Sequence, residues 1–391
     1  MKSEPLPPAA CVARADPSLL EELARRTHGL PAGSGVSLSD LESQDPFGAQ
    51  AFELLARRFG VSRHADGNWK VVRLPRWTPA WIGANHEAQC FDLFEAAFGY
   101  RIDPRLWRWK YRDATRPGMG AWRDGSLVAF YGAMPRATLH FGDPVSTVQI
   151  GDVMVHPHER GVMTRSGPFQ IAASTFIDRS VGFGRPHLFG FGFPTSKALQ
   201  VAQKLGLYDE VDRMAELTWP AGRDWAARMW RSERLAPEHR AAVERAWNAM
   251  AQDFRGSVIG VRDFQYLDRR YLQHPTVAYE CLVVRRMLTG TVQGLVVMRM
   301  ADAQVAELMD FVAPRRNFPA LVAVARRWAA NKGAARLRAW VTASHAELLA
   351  STSPAAAAMD LVVPANVWSP GPSAQSLRGK WWLMAGDSDF R

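Results

Sequence analysis

The stretch Gln149-Ile-Gly-Asp-Val-Met-Val-His-Pro-His-Glu-Arg-Gly161 decides the fold. Its first half predicts a buried strand. Pro157 sits in the turn that ends the strand, and Arg160-Gly161 leads toward a helix running from Gly167 to about Ser180. A helix that starts where a strand ends carries unpaired N–H groups and the positive end of its dipole. Such a junction is suited to a pyrophosphate.

The surrounding chain repeats this grammar. Upstream, Asp124-Gly125 joins two strands, Gly118 to Arg123 and Ser126 to Met134, a strong hairpin signal. A further strand from Ala137 to Phe141 passes through Gly142-Asp-Pro144 into Val148–Val155. Downstream, Leu188–Phe193 predicts an apolar strand ended by Pro194. A helix from Ser196 to Leu205 follows, and a strand from Met214 to Trp219 closes the set. The helix His86–Phe98 is expected to carry Phe91, Phe94 and Phe98 on one face. The second half runs strand, strand, strand, Pro314, helix, strand, helix, strand, with strands at Ala278–Arg286, Gly294–Met300, Val305–Val312 and Leu337–Val341. Its helices are expected at Phe318–Asn331 and Ser344–Ala350, and Lys380–Met384 is a final strand. The two halves are thus two fold-level copies of one α/β unit. The expected domains are 1–84, a helical adaptor segment that also suits a winged-helix shape; 85–220, the first copy; 221–256, a charged helical linker; and 257–391, the second copy in degenerate form.

The chain has 391 residues, 47% hydrophobic and 22% charged, the composition of a soluble globular protein long enough for two or three domains. Its three cysteines, Cys11, Cys90 and Cys281, lie far apart. That argues against a disulfide framework or a thiolate metal site and fits a reducing cytoplasm. The Pro-rich start lacks the apolar segment of a secretory signal, and no run has the length and apolarity of a membrane span. The His and Cys residues show no metal spacing, so no metal is expected. A net charge of +10 suits polyanions, including the phosphates of coenzyme A or an acidic carrier protein. No zinc finger, RNP motif or dense basic tail points to nucleic acid. The chain has no Gly-x-Ser-x-Gly elbow, and its Gly-Phe-Gly pairs lack a dinucleotide helix entry.

The Val-x-Pro-x-x-Arg-Gly wording at Val155–Gly161 resembles motif A of the GNAT acyltransferases. The longer run Gly151–Phe169, with Phe191-Gly-Phe-Pro194 and Leu205-Gly-Leu-Tyr208, resembles the GNAT-like loading domains of modular polyketide synthases of the curacin-synthase type. The similarity covers residues 85–220 most strongly. It implies tandem GNAT-like mixed sheets behind an adaptor. It also implies a coenzyme A or acyl-carrier phosphopantetheine thioester as substrate, with an acyl carrier protein and polyketide synthase modules as partners. The implied activity is decarboxylation of a malonyl-type thioester to make a starter unit, with transfer of the acyl group to the carrier. The alternative is a conventional acyl-CoA-dependent N-acetyltransferase acting on an amine. A plain acetyltransferase carries Arg-Gly-x-Gly-x-Gly; here Met163 and Arg165 stand at the last two glycines and crowd the loop.

The resemblance assigns the thioester-binding role to Val153, Val155, Arg160, Gly161, Val162, Met163 and Arg165. It places a functional threonine at Thr164 and a functional arginine at Arg213. The family histidine near the Gly-Phe-Pro turn is replaced by Thr195. Asp152 is a candidate general base on the central strand, or else a buried structural carboxylate. His156, His158 and His187 are candidate proton donors or surface histidines. Tyr208 is a candidate acid or a packing residue. Trp107, Trp109 and Tyr111 are core aromatics or line the acyl pocket.

Overall fold

The computed structural model describes residues 16–45, 48–72, 76–160, 167–222 and 228–389. The chain forms two compact units. Unit 1 holds Met1–Arg101, Arg116–Gly132 and Asp152–Arg185, and unit 2 holds Ile102–Thr115, Ala133–Gly151 and Pro186–Arg391.

Unit 1 begins with the helix Pro17–Thr27, capped by Asp16, whose carboxylate accepts the Ser18 N–H at 2.8 Å. Strand β1 (Gly35–Val36), helices Ser39–Gln44 and Ala49–Arg58, and strands β2 (Val61–Arg63) and β3 (Trp69–Val71) follow. The sheet order is β1-β3-β2, and Leu23, Leu38, Phe52 and Trp69 form a core of its own beneath it. Beyond lie β4 (Thr78–Trp81) and β5 (Gly118–Arg123), paired antiparallel. β5 pairs in turn with β6 (Ser126–His140) through the two-residue Asp124-Gly125 turn. Both turn residues have positive φ, 51° and 78°, as a hairpin turn of this length requires. The helix Pro168–Ser180 packs on these strands, with Phe176 edge-on to Trp81 at 5.9 Å. Gly118 is obligatory, since a Cβ there would lie 2.2 Å from the Tyr131 carbonyl oxygen. The helix Glu87–Phe98 buries Cys90, Leu93 and Phe94; the Phe94 and Phe98 rings lie 4.7 Å apart, and Phe98, on its last turn, is exposed.

In unit 2, β6 pairs antiparallel with β11 (Val258–Gly260), and β11 pairs parallel with β17 (Trp381–Trp382). Strand β7 (Asp143–Val155) meets β8 (Gly190–Phe191) in parallel at Val148 and Gln149. The larger sheet has seven strands in the order β10-β12-β13-β14-β15-β9-β16. These are β9 (Tyr208–Pro220), β10 (Trp230–Arg234), β12 (Glu280–Arg286), β13 (Val292–Met300), β14 (Val305–Val312), β15 (Arg336–Thr342) and β16 (Ala355–Asn366). β14 and β15 are parallel and are joined by the helix Phe318–Asn331, the crossover that parallel neighbours need. Trp219, Phe311, Phe318 and Trp382 are central to the core.

Four elements differ from the expected pattern. β9, expected to close the first set of strands, lies between β15 and β16 in the larger sheet. β16 begins with Ala355–Ala358, which carries no strand signal and is held by pairing with β9. Within 221–256, the described residues form a strand, Trp230–Arg234, before the helix Arg240–Asp253. The charges of β10 read like a solvated helix, but its backbone pairs with β12. The expected helix at Ser344–Ala350 is a 3-10 segment, Ala343–Thr352.

Candidate functional site

The end of β7 is irregular in a way that re-aims its backbone. Gly151 has no room for a side chain: a Cβ would lie 2.5 Å from Asp389 Oδ2 and 2.7 Å from Met134 Cε. Asp152 follows with φ 46°, a left-handed conformation that Asp tolerates better than bulkier residues. After this break Val153 is 39% exposed, Met154 is buried and Val155 half-buried. Irregular strand ends of this kind commonly re-aim groups beside ligand sites.

A 3-10 turn, Pro157–Glu159, then reverses the chain and is anchored by the His156 N–H donating to the Val128 carbonyl at 2.8 Å. Glu159 is buried beneath it. Its carboxylate accepts from Trp77 Nε1 at 3.0 Å, Arg76 Nη2 at 3.1 Å and Arg123. Burial would raise its pKa, but Arg123, Trp77 and Arg76 outweigh burial and hold it below the usual range. Arg160 is pinned to the main chain: Nε donates to the Val155 carbonyl at 3.0 Å and Nη2 to the Ala97 carbonyl at 2.9 Å. Its charge therefore stands beside the end of β7 without being neutralised by a carboxylate in these two bonds.

Gly161, Val162, Met163, Thr164 and Arg165 lie outside the described residues, so the structure describes only the chain on either side of them. The far end is the helix Pro168–Ser180, preceded by Gly167, which can offer no side-chain cap. Pro168 has no N–H to leave unpaired. The N–H groups of Phe169 and Gln170 have no acceptor among the described residues. An uncapped first turn with its dipole is a favourable place for an anion.

Arg213 and Thr195 belong to unit 2. The helix Ser196–Lys204 starts with Thr195 as its cap, the Oγ1 accepting the Ala198 N–H at 3.3 Å. Asp360 accepts the Ser196 N–H at 3.0 Å. Its pKa is lowered by the hydrogen bonds from Ser196 and the charge of Arg213. This helix start thus already holds one of the chain's own carboxylates. Arg213 donates from Nη1 to Ser196 Oγ at 3.2 Å and pairs with Glu210 at 2.6 Å, so Arg213 and Thr195 are brought together. Asp152, Val153, Val155 and Arg160 share the other segment, in unit 1. Asp360 and Glu159 escaped sequence reasoning. Neither falls in a spacing pattern, and Asp360 acts across 164 residues.

The other candidates are placed as follows. His187 shares a hydrogen bond with Ser146 Oγ at 2.8 Å, and burial lowers its pKa. The His156 and His158 rings lie 5.2 Å apart in the turn. Tyr208 is buried. Trp107 and Tyr111 are buried against each other at 4.5 Å, whereas Trp109 lines a cavity of unit 2. Burial pushes the Cys90 and Cys281 thiols up to about 12, which disqualifies both as nucleophiles at neutral pH. Among the described residues there is no cluster of three or more His, Cys, Asp or Glu able to hold a metal ion. Nor is any described helix long and apolar enough to cross a membrane.

Residues 82–166 match the model of the acetyltransferase (GNAT) domain. No curated protein matches the chain in sequence. Among solved structures, a conserved protein of unknown function from Enterococcus faecalis V583, described as a "Probable N-Acyltransferase", is similar with a TM-score of 0.57. It is 15% identical, and the match covers 77% of this chain and 74% of that one. A GCN5-related N-acetyltransferase from Kribbella flavida is similar with a TM-score of 0.55 at 14% identity, covering 74% and 70%. Another from Anabaena variabilis ATCC 29413 also gives 0.55 at 14% identity, covering 75% and 73%. The mixed α/β fold is GNAT-like.

Proposed function

We propose that this chain is a GNAT-type acyl-thioester enzyme that binds its thioester at segment 152–180. The observation that carries the proposal is the uncapped start of the helix Pro168–Ser180, following a broken strand end with Arg160 beside it. Two N–H groups without an acceptor among the described residues, a helix dipole and a fixed guanidinium suit the phosphate end of coenzyme A or phosphopantetheine. The match of residues 82–166 to the GNAT acetyltransferase domain supports the same reading.

The chemistry we assign is decarboxylation of a malonyl-type thioester to prepare a polyketide starter unit, followed by acyl transfer to an acyl carrier protein. In that reaction the bond to the carboxylate breaks, carbon dioxide leaves, and its electron pair forms the thioester enolate. The enolate then takes a proton from water at the α-carbon, and in the transfer the carrier's thiol attacks the thioester carbonyl while the coenzyme A thiol leaves. Thr164 orients the departing carboxylate without neutralising it, since a tight cationic partner would stabilise the ground state. Asp152, in unit 1 with the helix Pro168–Ser180, is the candidate base near the thioester. Support for this finer reading is the loop itself, where Met163 and Arg165 stand in place of the glycines of a plain acetyltransferase.

A second reading is favoured by the GNAT domain match: a conventional N-acyltransferase that moves an acyl group from coenzyme A to an amine. Mass spectrometry separates the two. Malonyl-, methylmalonyl- and acetyl-thioesters, on coenzyme A and on a carrier, are incubated with the protein and with Thr164→Val. Loss of carbon dioxide that depends on Thr164 is the expected result. Coenzyme A released only when amines are added, with no decarboxylation, would leave the second reading.

A further inference from the structure

Unit 2 holds a cavity of about 220 Å³ lined by the helix Pro104–Tyr111, by β6 at Met134–Ala137, and by chain near Val261–Arg270 and Ser388–Asp389. Pockets for drug-sized ligands run to ~300–1,000 Å³, so this one suits a smaller molecule. Five Lys and Arg side chains line it against three Asp, which sets its sign as positive. The carboxylates are already engaged. Asp389 pairs with Lys110 at 2.9 Å, Asp113 with Arg269 at 3.1 Å, and Asp263 accepts the Tyr266 N–H at 2.7 Å. A ligand ammonium would therefore meet cations and committed carboxylates.

Lys110 and Arg270 are the most buried of these cations, each 5% exposed, and Arg136 is next. Its side chain is only 16% exposed and stacks over the Tyr266 ring at 4.9 Å. Nη2 donates to Tyr266 Oη at 3.1 Å and to Asp387 Oδ1 at 3.2 Å. Asp387 also takes a bond from the fully buried Arg262, so its charge is shared. The Nε and Nη1 protons of Arg136 have no acceptor among the described residues. A mostly buried guanidinium with open donors favours an incoming anion, because charge-assisted bonds are strong where water is scarce. Met134, Ala137 and Val261 add apolar wall beside it. Inorganic phosphate has no use for that wall, whereas a short hydrocarbon chain does.

We propose that this cavity binds a small aliphatic carboxylate, with its carboxylate on Arg136 and its chain against Met134, Ala137 and Val261. The assignment goes beyond the acyl-thioester reading and does not depend on it. The test is an NMR titration of the full chain, ¹⁵N-labelled at arginine, with butyrate, butyramide, n-butylammonium and inorganic phosphate in turn. The Arg136 Nε resonance is identified by its absence in Arg136→Lys. Butyrate is expected to shift that resonance saturably while butyramide and n-butylammonium leave it in place. Arg136→Met is expected to weaken butyrate by about tenfold or more. Since Arg136 also holds Asp387, the wild-type titration decides the matter if Arg136→Met does not fold. Butyrate that binds without moving Arg136, phosphate that binds more tightly than butyrate, or no binding at all would overturn the proposal.

Discussion

Two strand-to-helix turns of similar wording end in opposite ways. In the first, β7 breaks at Asp152 and the chain passes Pro157 and Arg160 before the helix Pro168–Ser180 begins without a side-chain cap. In the second, β14 ends at Val312, Pro314 follows, and a single 3-10 turn, Arg315–Asn317, leads straight into the helix Phe318–Asn331. The second turn is filled from within. The Arg315 N–H donates to Asp253 Oδ2 at 2.7 Å, so the chain's own carboxylate stands where an external anion would bind. Asn317 Nδ2 donates to the Gln293 carbonyl at 2.7 Å. Phe318 is fully buried, its ring edge-on to Phe311 at 4.4 Å. The difference teaches what the shared pattern leaves open. A strand, a proline and a helix place N–H donors at one point, but binding also needs room and the absence of an internal substitute.

If the second region serves stability and the first serves binding, variants should divide accordingly. The largest effect is expected from Arg262→Met. Arg262 is fully buried between Asp310, at 3.0 Å, and Asp387, and Tyr271 Oη donates to Asp310 at 2.9 Å. Removing it strands buried carboxylates, and urea denaturation should show a loss of about 3–5 kcal/mol. Binding of acetyl-CoA by the folded fraction should be unchanged; a lost affinity would break the division.

Acid comes next. Burial, reinforced by Arg315 and Lys380, pushes the His345 pKa down to about 4, and burial with Arg270 and Arg299 does the same for His274. In the unfolded chain both take protons near the ordinary value of 6.5, while the folded chain refuses them until about 4. The unfolded state therefore binds more protons in this window, and stability should fall as pH drops from 6.5 toward 4. His345→Gln should flatten part of that slope in thermal melts, and an unchanged slope would remove His345 from the account.

Arg160→Met should be smaller in free energy but selective, weakening acetyl-CoA by about tenfold in calorimetry with little change in melting temperature. Global unfolding instead would make Arg160 a structural clamp on Val155 and Ala97. Smallest is Thr195→Ala, which removes a helix cap and should cost about 1 kcal/mol. A fall in turnover beyond that expected from the folded fraction would give Thr195 a part in the reaction besides its cap.

Local signals made most of the elements legible. Asp124-Gly125 marked its hairpin, β14 coincides with its apolar run, and the helix Phe318–Asn331 was bounded by its own pattern. The sheet to which β9 belongs was not legible, because its apolar face fits either sheet and the choice rests on pairing with β15 and β16. Likewise Ala355–Ala358 is strand only through its partner. At the site, the strand end, the turn and Arg160 were readable from one short stretch. The internal anions were not: Asp253 reaches Arg315 across 62 residues and Asp360 reaches Ser196 across 164. No local spacing encodes a contact of that range.

The central claim is that the first turn binds the acyl thioester and the second does not. Hydrogen–deuterium exchange of the full chain, with and without acetyl-CoA, reads both turns in one experiment. Protection of peptides spanning 152–172, with 312–322 unchanged, is the predicted result. Protection confined to 312–322, or at neither turn under saturating ligand, would contradict it.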